Sequence, residues 1–295
     1  MADAARDRRR GHLAMLGFAG LVAGSFGLGG LAAPHVDPLV LTTLRFAVAV
    51  GVMAALGGAA LRRAHMAAVW RWPLLGGLFA IYFVLMFEAL KTAAPVSTSA
   101  VFTLTPLMAA GFGWLLLRQR LSPRMAGALA VGALGALWVI FRGDPRALLA
   151  FQPGRGEAIF LVGCAAHALF TPMVARLNRG EPPVVSTLLV MLGGLAVLVA
   201  VSAGPLAATD WGGLPAIVWI TAVYLGVPAT AVTFVLLQYA ARHLPAAKVM
   251  AYTYLVPSFV ILWELALDQT APPALILPGV GLCALALVVL LKHEG

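Results

Sequence analysis

Charge is what this chain has least of. Charged residues make up 11% of its 295 positions and hydrophobic ones 62%, too little polar surface to coat a soluble globule, so the chain belongs in a bilayer. Cysteine is almost missing. Cys164 and Cys283 each fall inside an apolar run, where a reduced thiol acts as a small hydrophobe, and they offer neither a disulfide framework nor metal-ligand spacing. Segments of alternating polarity are lacking, which excludes a transmembrane β-barrel. No HExxH, aspartate-rich prenyl-transfer or serine-nucleophile motif occurs, so no enzyme, catalytic residue, cofactor or metal is expected. No ring of repeated charges or carbonyl filter sequence points to a channel. The net charge of +9 sits almost wholly in short connections, which argues against a nucleic-acid partner and for a lipid one.

What remains is apolar and segmented. Ten runs can be marked, Leu13–Ala33, Leu39–Leu61, Trp72–Leu90, Val96–Leu117, Met125–Phe141, Ala158–Leu177, Val184–Ala203, Leu214–Ala240, Ala246–Leu267 and Ala274–Leu291, each near the ~20 residues that cross the hydrocarbon as helix. The longest connection, Arg142 to Glu157, holds Gly143-Asp144-Pro145 and Pro153-Gly154-Arg155-Gly156 and reads as a linker between two five-helix halves. The expected organisation is a basic tail (1–12), a first repeat (13–141), the linker (142–157), a second repeat (158–291) and a short tail (292–295).

One stretch occurs twice. Ala89-Leu90-Lys91 before Pro95, Thr105-Pro106 and Leu115-Leu116-Leu117 are echoed by Ala240-Ala241-Arg242 before Pro245, Val256-Pro257 and Leu265-Ala266-Leu267. Five helices per half is odd, so the second copy enters the membrane upside down, and the duplication is an inverted repeat with its site between the halves. Fifteen of the twenty basic residues, from Arg6 to Lys292, fall on one face; Lys91, Arg142, Arg146 and Arg155 fall on the other, and Arg45 lies within a helix. The positive-inside rule puts both termini in the cytoplasm. All seven tryptophans lie near helix ends and fit an interfacial belt, and Gly17, Gly20, Gly24 and Gly27 line one face of the first helix as a packing stripe.

Ionisable and polar groups at membrane depth mark candidate sites. Arg45 serves either to bond carbonyls of a neighbouring helix or to hold a solute carboxylate. Glu88, one turn before Lys91, reads as a local ion pair. Glu264, with Asp268 four residues on, is either proton-responsive or reaches to the surface. His167, midway along the sixth helix, is satisfied locally or faces a site. Tyr82 and Tyr224 lie too deep for the belt. Pro106 and Pro257 lack the N–H groups that would bond the Phe102 and Thr253 carbonyls, breaks that persist in a membrane where protein or a wet cavity satisfies the freed group. Around them lie Ser99, Thr103, Tyr252 and Tyr254. The expected solute-binding set is therefore Tyr82, His167, Tyr224, Tyr252, Tyr254, Arg45, Ser99 and Thr103, on a cavity lined by the fourth and ninth helices, with Pro106 and Pro257 as hinges.

Leu44-Arg45-Phe46, the Ala89-Leu90-Lys91 turn, Thr105-Pro106 before Leu115-Leu116-Leu117, Leu121-Ser122-Pro123 and their second-half echoes resemble the drug/metabolite transporter superfamily, in its ten-helix EamA group. The chain differs from the family pattern where Arg118-Gln119 and Asp268-Gln269 replace a closing Gly-Glu pair. It differs again where Ala23-Gly24 and His167-Ala168 replace a Trp-Gly or Trp-Ala pair. The resemblance implies an all-α inner-membrane carrier with a cavity among helices one, three, four, six, eight and nine. It further implies export of amino acids or similar small metabolites, the aromatic amino-acid exporters of the YddG type being the nearest analogy. The competing expectation is an exporter of cationic drugs or polyamines, which would need Glu264 or Glu88. Monomer and homodimer both fit the sequence.

Overall fold

The chain was studied as a computed structural model that describes residues 2–119, 122–150, 153–244, 249, 251–269 and 272–291. Arg120, Leu121, Pro245, Ala246, Lys248, Lys292 and the tail 292–295 lie outside these residues. Among the described residues there is helix and no strand. Among the described residues, nine helices are long and apolar enough to cross a membrane: α1 (Arg6–Ala32), α2 (Pro38–Ala60), α3 (Arg71–Ala89), α4 (Pro95–Leu117), α5 (Pro123–Ile140), α6 (Arg155–Leu177), α7 (Pro183–Val201), α8 (Ala216–Leu237) and α10 (Ala274–Leu291). The shorter apolar helix α9 (Tyr252–Ala266) completes a ten-helix, multi-pass membrane protein.

The helix starts follow local chemistry. Asp37 accepts the Leu39 N–H at 2.8 Å with Pro38 in the first turn, and Ser122 accepts the Met125 N–H at 3.2 Å ahead of Pro123, each filling a backbone donor that the helix leaves open. Packing follows the duplication. The helix α3 packs on α6 and α7, α1 on α8 and α9, α4 on α6, α2 on α7 and α8, and α5 on α10. Exchanging each helix for the one five places along reproduces the same set of neighbours, the mark of two inverted five-helix repeats. Glycine sets the closest approach: a Cβ on Gly76 of α3 would overlap the Gly194 nitrogen and the Val190 carbonyl of α7, so two backbones meet there directly.

The repeated prolines sit at breaks. The helix α4 consists of Pro95–Phe102 and Thr105–Leu117, joined by a tight turn in which the Thr103 and Leu104 N–H groups bond the Ala100 and Val101 carbonyls at 3.0 Å. In α9 a 3₁₀ turn, Tyr252–Leu255, precedes Val256–Ala266. Pro106 and Pro257 are each the second residue of the new helical piece, where a missing N–H costs least. The two pieces also end alike. Arg118 and Asp268, with φ of 54° and 53°, take the left-handed conformation that closes a helix, a role usually given to glycine.

A buried ion pair joins the halves. Arg71, 1% exposed, donates to Glu181 Oε1 at 2.7 Å and to the Leu177 carbonyl at 2.6 Å, tying the start of α3 to the α6–α7 connection. Burial alone would raise the Glu181 carboxyl. Hydrogen bonds from Arg71 and from the Arg179 N–H at 2.8 Å outweigh it and hold the group below its ordinary value. The sequence reading counted Arg71 as a surface charge. Glu157, read as linker, is instead buried in the first turn of α6, where it accepts the Ser97 hydroxyl at 2.7 Å. Glu88 and Lys91 pair at 2.8 Å, one turn apart.

Candidate functional site

A cavity of about 410 Å³ lies between the repeats, within the roughly 300–1,000 Å³ of small-molecule sites. Its lining comes from Phe18 to Phe26 of α1, Phe79 to Met86 of α3, His167 to Val174 of α6, Ser186 to Met191 of α7 and Ala229 to Leu237 of α8, with Arg45 from α2 and Phe102 from α4. The lining spans the middle of the bundle, with Arg45 and Phe102 in the first halves of α2 and α4 and the α6, α7 and α8 residues toward the other side. The Phe26 ring meets Phe102 of its own repeat and Phe160 of the other at 6.0 Å, and Ser97 and Glu157, near the starts of α4 and α6, share a hydrogen bond. A second hollow, about 240 Å³ between His35 and Leu214, belongs to the α1–α2 and α7–α8 connections. No cluster of His, Cys, Asp or Glu able to hold a metal occurs among the described residues.

The wall of the cavity is a stack of rings. Phe79 lies parallel to Phe170 at 5.0 Å, and Tyr82 parallel to His167 at 4.6 Å. Phe83 meets Phe79 edge-on at 4.7 Å. The spacing Phe79-Tyr82-Phe83 puts three rings of α3 on one helical face, and His167 and Phe170 answer from α6 one turn apart. The His167 Nδ1 atom is buried with no hydrogen-bond partner.

Arg45, 4% exposed, supplies the charge. Its guanidinium lies over the Phe83 ring with Cζ 3.5 Å from the centroid, a cation–π contact. Nη2 donates to Thr230 Oγ1 at 3.4 Å, and Nη1 is buried without an acceptor. Thr230 sits in a π-helical segment, Val227–Val232, and donates to the Leu225 carbonyl five residues back at 2.7 Å. That widened turn, which follows from Pro228 interrupting the ladder, brings the Thr230 hydroxyl within reach of Arg45.

Of the residues expected at the site, the structure brings Tyr82, His167 and Arg45 together. It places the others elsewhere. Tyr224 donates to the Leu21 carbonyl at 2.8 Å and packs edge-on against Trp263. Tyr252 bonds His12 Nδ1 at 2.7 Å. Tyr254 is buried against Gly132. Ser99 and Thr103 bond the Val96 and Ala100 carbonyls at 2.7 Å. Glu264 is buried on α9, off the cavity. The reason is the position of α9, which supplies none of the lining. The glycine stripe of α1 lets Phe259, Trp263 and Tyr224 seat against its backbone, with Trp263 Nε1 donating to the Gly20 carbonyl at 2.8 Å. Those rings are held behind α1. Trp263 and the buried Trp72 are thus packing residues and not belt residues. Phe79, Phe83, Phe170 and Thr230 escaped the sequence reading because apolar rings and threonines at helical spacing look like ordinary core.

Comparison with known proteins agrees with this architecture. Two copies of the EamA-like transporter family match, over residues 9–141 and 154–292, and the chain belongs to that family. It is 22% identical over 252 residues to the uncharacterized transporter YyaM of Bacillus subtilis (strain 168), covering 83% of this chain and 82% of the relative. To the uncharacterized transporter PA0485 of Pseudomonas aeruginosa it is 27% identical over 176 residues, 59% of this chain and 55% of the relative. A crystal structure 20% identical in sequence superposes with a TM-score of 0.65, covering 97% of this chain and 96% of the other, and has the same fold. By family the protein is therefore a membrane transporter of small solutes.

Proposed function

We propose that the chain resides in a bacterial inner membrane with both termini in the cytoplasm, where it exports small carboxylate solutes with an aromatic or large apolar body. Aromatic and large apolar amino acids belong to this class. The carrying observation is the ring-walled cavity that holds the unpaired Nη1 of Arg45. A solute carboxylate would take that donor, and its apolar body would stack between Phe79, Tyr82 and His167. The access states would exchange by motion of the first repeat (13–141) against the second (158–291), with the helix breaks at Pro106 and Pro257 absorbing the bend. The cationic-drug reading lacks support at the site, because among the described residues no carboxylate lines the cavity.

The test is counterflow in proteoliposomes. Vesicles loaded with one unlabelled amino acid should accumulate the same labelled solute above protein-free liposomes for tyrosine, phenylalanine or leucine and not for lysine. Accumulation of lysine or a polyamine alone would reverse the reading. Pro106→Ala and Pro257→Ala should each slow counterflow with folding retained; unchanged rates would make both breaks static.

A further inference from the structure

Resting on the reading of this cavity as a carboxylate site, we infer that the favoured solute is a monoanion whose amino group is absent or masked, such as an N-acylated or deaminated aromatic acid, in preference to a zwitterionic amino acid. The inference comes from the charge balance of the cavity. Arg45 is buried, and its guanidinium stays charged under physiological conditions. It has a neutral partner, Thr230, on Nη2, an aromatic face on Phe83, and no acceptor on Nη1. Among the described residues, no Asp or Glu lines the cavity. The acids of the described bundle are engaged or placed elsewhere: Glu157 with Ser97, Glu181 with Arg71, Glu88 with Lys91, and Glu264 on α9.

Among the described residues, the cavity therefore encloses one positive charge that no side chain of its wall balances. In a low-dielectric site the net charge enclosed decides the energy more than the number of polar contacts. A monoanion brings the total to zero. A zwitterion satisfies Nη1 yet leaves the total unchanged, since its ammonium arrives with its carboxylate. A cation doubles it. The hydroxyls of Thr171, Thr230 and Thr233, which donate to backbone carbonyls, can accept from an ammonium but cannot neutralise it. Protonation of His167 would add a second positive charge and strengthen the same order. His167 Nδ1, buried and unpartnered, suits a neutral donor instead, the N–H of an acylated amine or the hydroxyl of an α-hydroxy acid.

The experiment compares four solutes that share one ring: N-acetylphenylalanine, phenyllactate, phenylalanine and phenethylamine. Counterflow is measured near neutral pH with the full chain in proteoliposomes, and protein-free liposomes set the leak. The two monoanions should exceed phenylalanine by about ten-fold or more in initial rate or competition constant, as expected for a buried charged group satisfied against one left unbalanced, and phenethylamine should stay at the leak. Arg45→Gln should remove the advantage of the monoanions, bringing N-acetylphenylalanine and phenyllactate down to the rate of phenylalanine. Should that variant fail to fold, competition by the four solutes against the wild-type protein gives the same ranking. Phenylalanine equal to or faster than both monoanions overturns the inference and leaves the proposed function standing; silence for both acids and phenylalanine overturns the function, and the inference with it.

Discussion

The first repeat brings Arg45, Phe79, Tyr82, Phe83 and Phe102 to the cavity, whereas the second brings His167, Phe170 and most of the hydroxyls, Thr171, Ser186, Thr187, Thr230 and Thr233. The helices α3 and α8 hold equivalent places in the two repeats, yet α3 offers a cluster of three rings and a methionine, and α8 two threonines among Ala229, Phe234 and Leu237, with a π turn. Features that the repeats share, the broken fourth and ninth helices, the left-handed caps at Arg118 and Asp268 and the reciprocal packing, build the frame. Features they do not share build the site. Duplication fixes a two-fold frame, and a solute with one charged end and one apolar end needs the two walls to differ.

That comparison can be broken at the joint between the repeats. Arg71→Ala leaves Glu181 buried without its partner and should destabilise the protein by about 3–5 kcal/mol, read as a fall in the thermal midpoint in detergent; Arg71→Leu combined with Glu181→Leu should recover most of it. Because the folded-state Glu181 carboxyl lies below its ordinary value of 4.5, the pair's contribution is fully present above that value. It is lost as pH falls through the lowered one. Wild type and Arg71→Ala should therefore converge in midpoint on acidification, and a gap that stayed constant would remove the pair from the stability balance.

A smaller effect sharpens the difference between the walls. His167→Ala removes the ring that the second repeat stacks on Tyr82 and should lower counterflow by up to about ten-fold with the circular dichroism unchanged; an unchanged rate would take His167 out of the site. At the starts of α4 and α6, Ser97→Ala deprives Glu157 of its donor. At about 1–3 kcal/mol for an unpaired buried acceptor, it should reduce hydrogen-exchange protection of the first turns of α4. Equal protection in variant and wild type would show that the packing of Phe26, Phe102 and Phe160 holds these turns without it. The smallest expected change tests the shared frame. Arg118→Gly and Asp268→Gly should each stabilise by about 0.5–1 kcal/mol, because glycine takes positive φ without strain, and equal shifts in midpoint would mark the two caps as one motif used twice.

Much of the frame was legible because it rests on local and periodic signals. Apolar runs of membrane length, Ser122-Pro123 and Asp37-Pro38 at helix starts, the Glu88–Lys91 pair and the repeated Pro106 and Pro257 all act through neighbours in the chain. The same local logic erred where the partner was remote. Glu157 and Arg71 look like loop charges until Ser97 and Glu181 are brought to them from 60 and 110 residues away.

By itself, then, the sequence determined a ten-helix membrane protein of two inverted repeats, since burying apolar length in lipid and closing every backbone hydrogen bond within a helix leave little other choice. Tertiary structure alone decided which polar residues share the cavity. Four tyrosines, His167, Arg45, hydroxyl groups and an acid stood equally eligible by depth. The seating of α9 against the glycine face of α1 turned Tyr224 and Trp263 toward the α1 backbone. The π turn at Pro228 carried Thr230 to Arg45. Depth in a membrane can be counted along a chain, but the direction in which a helix faces is set by the helices packed around it.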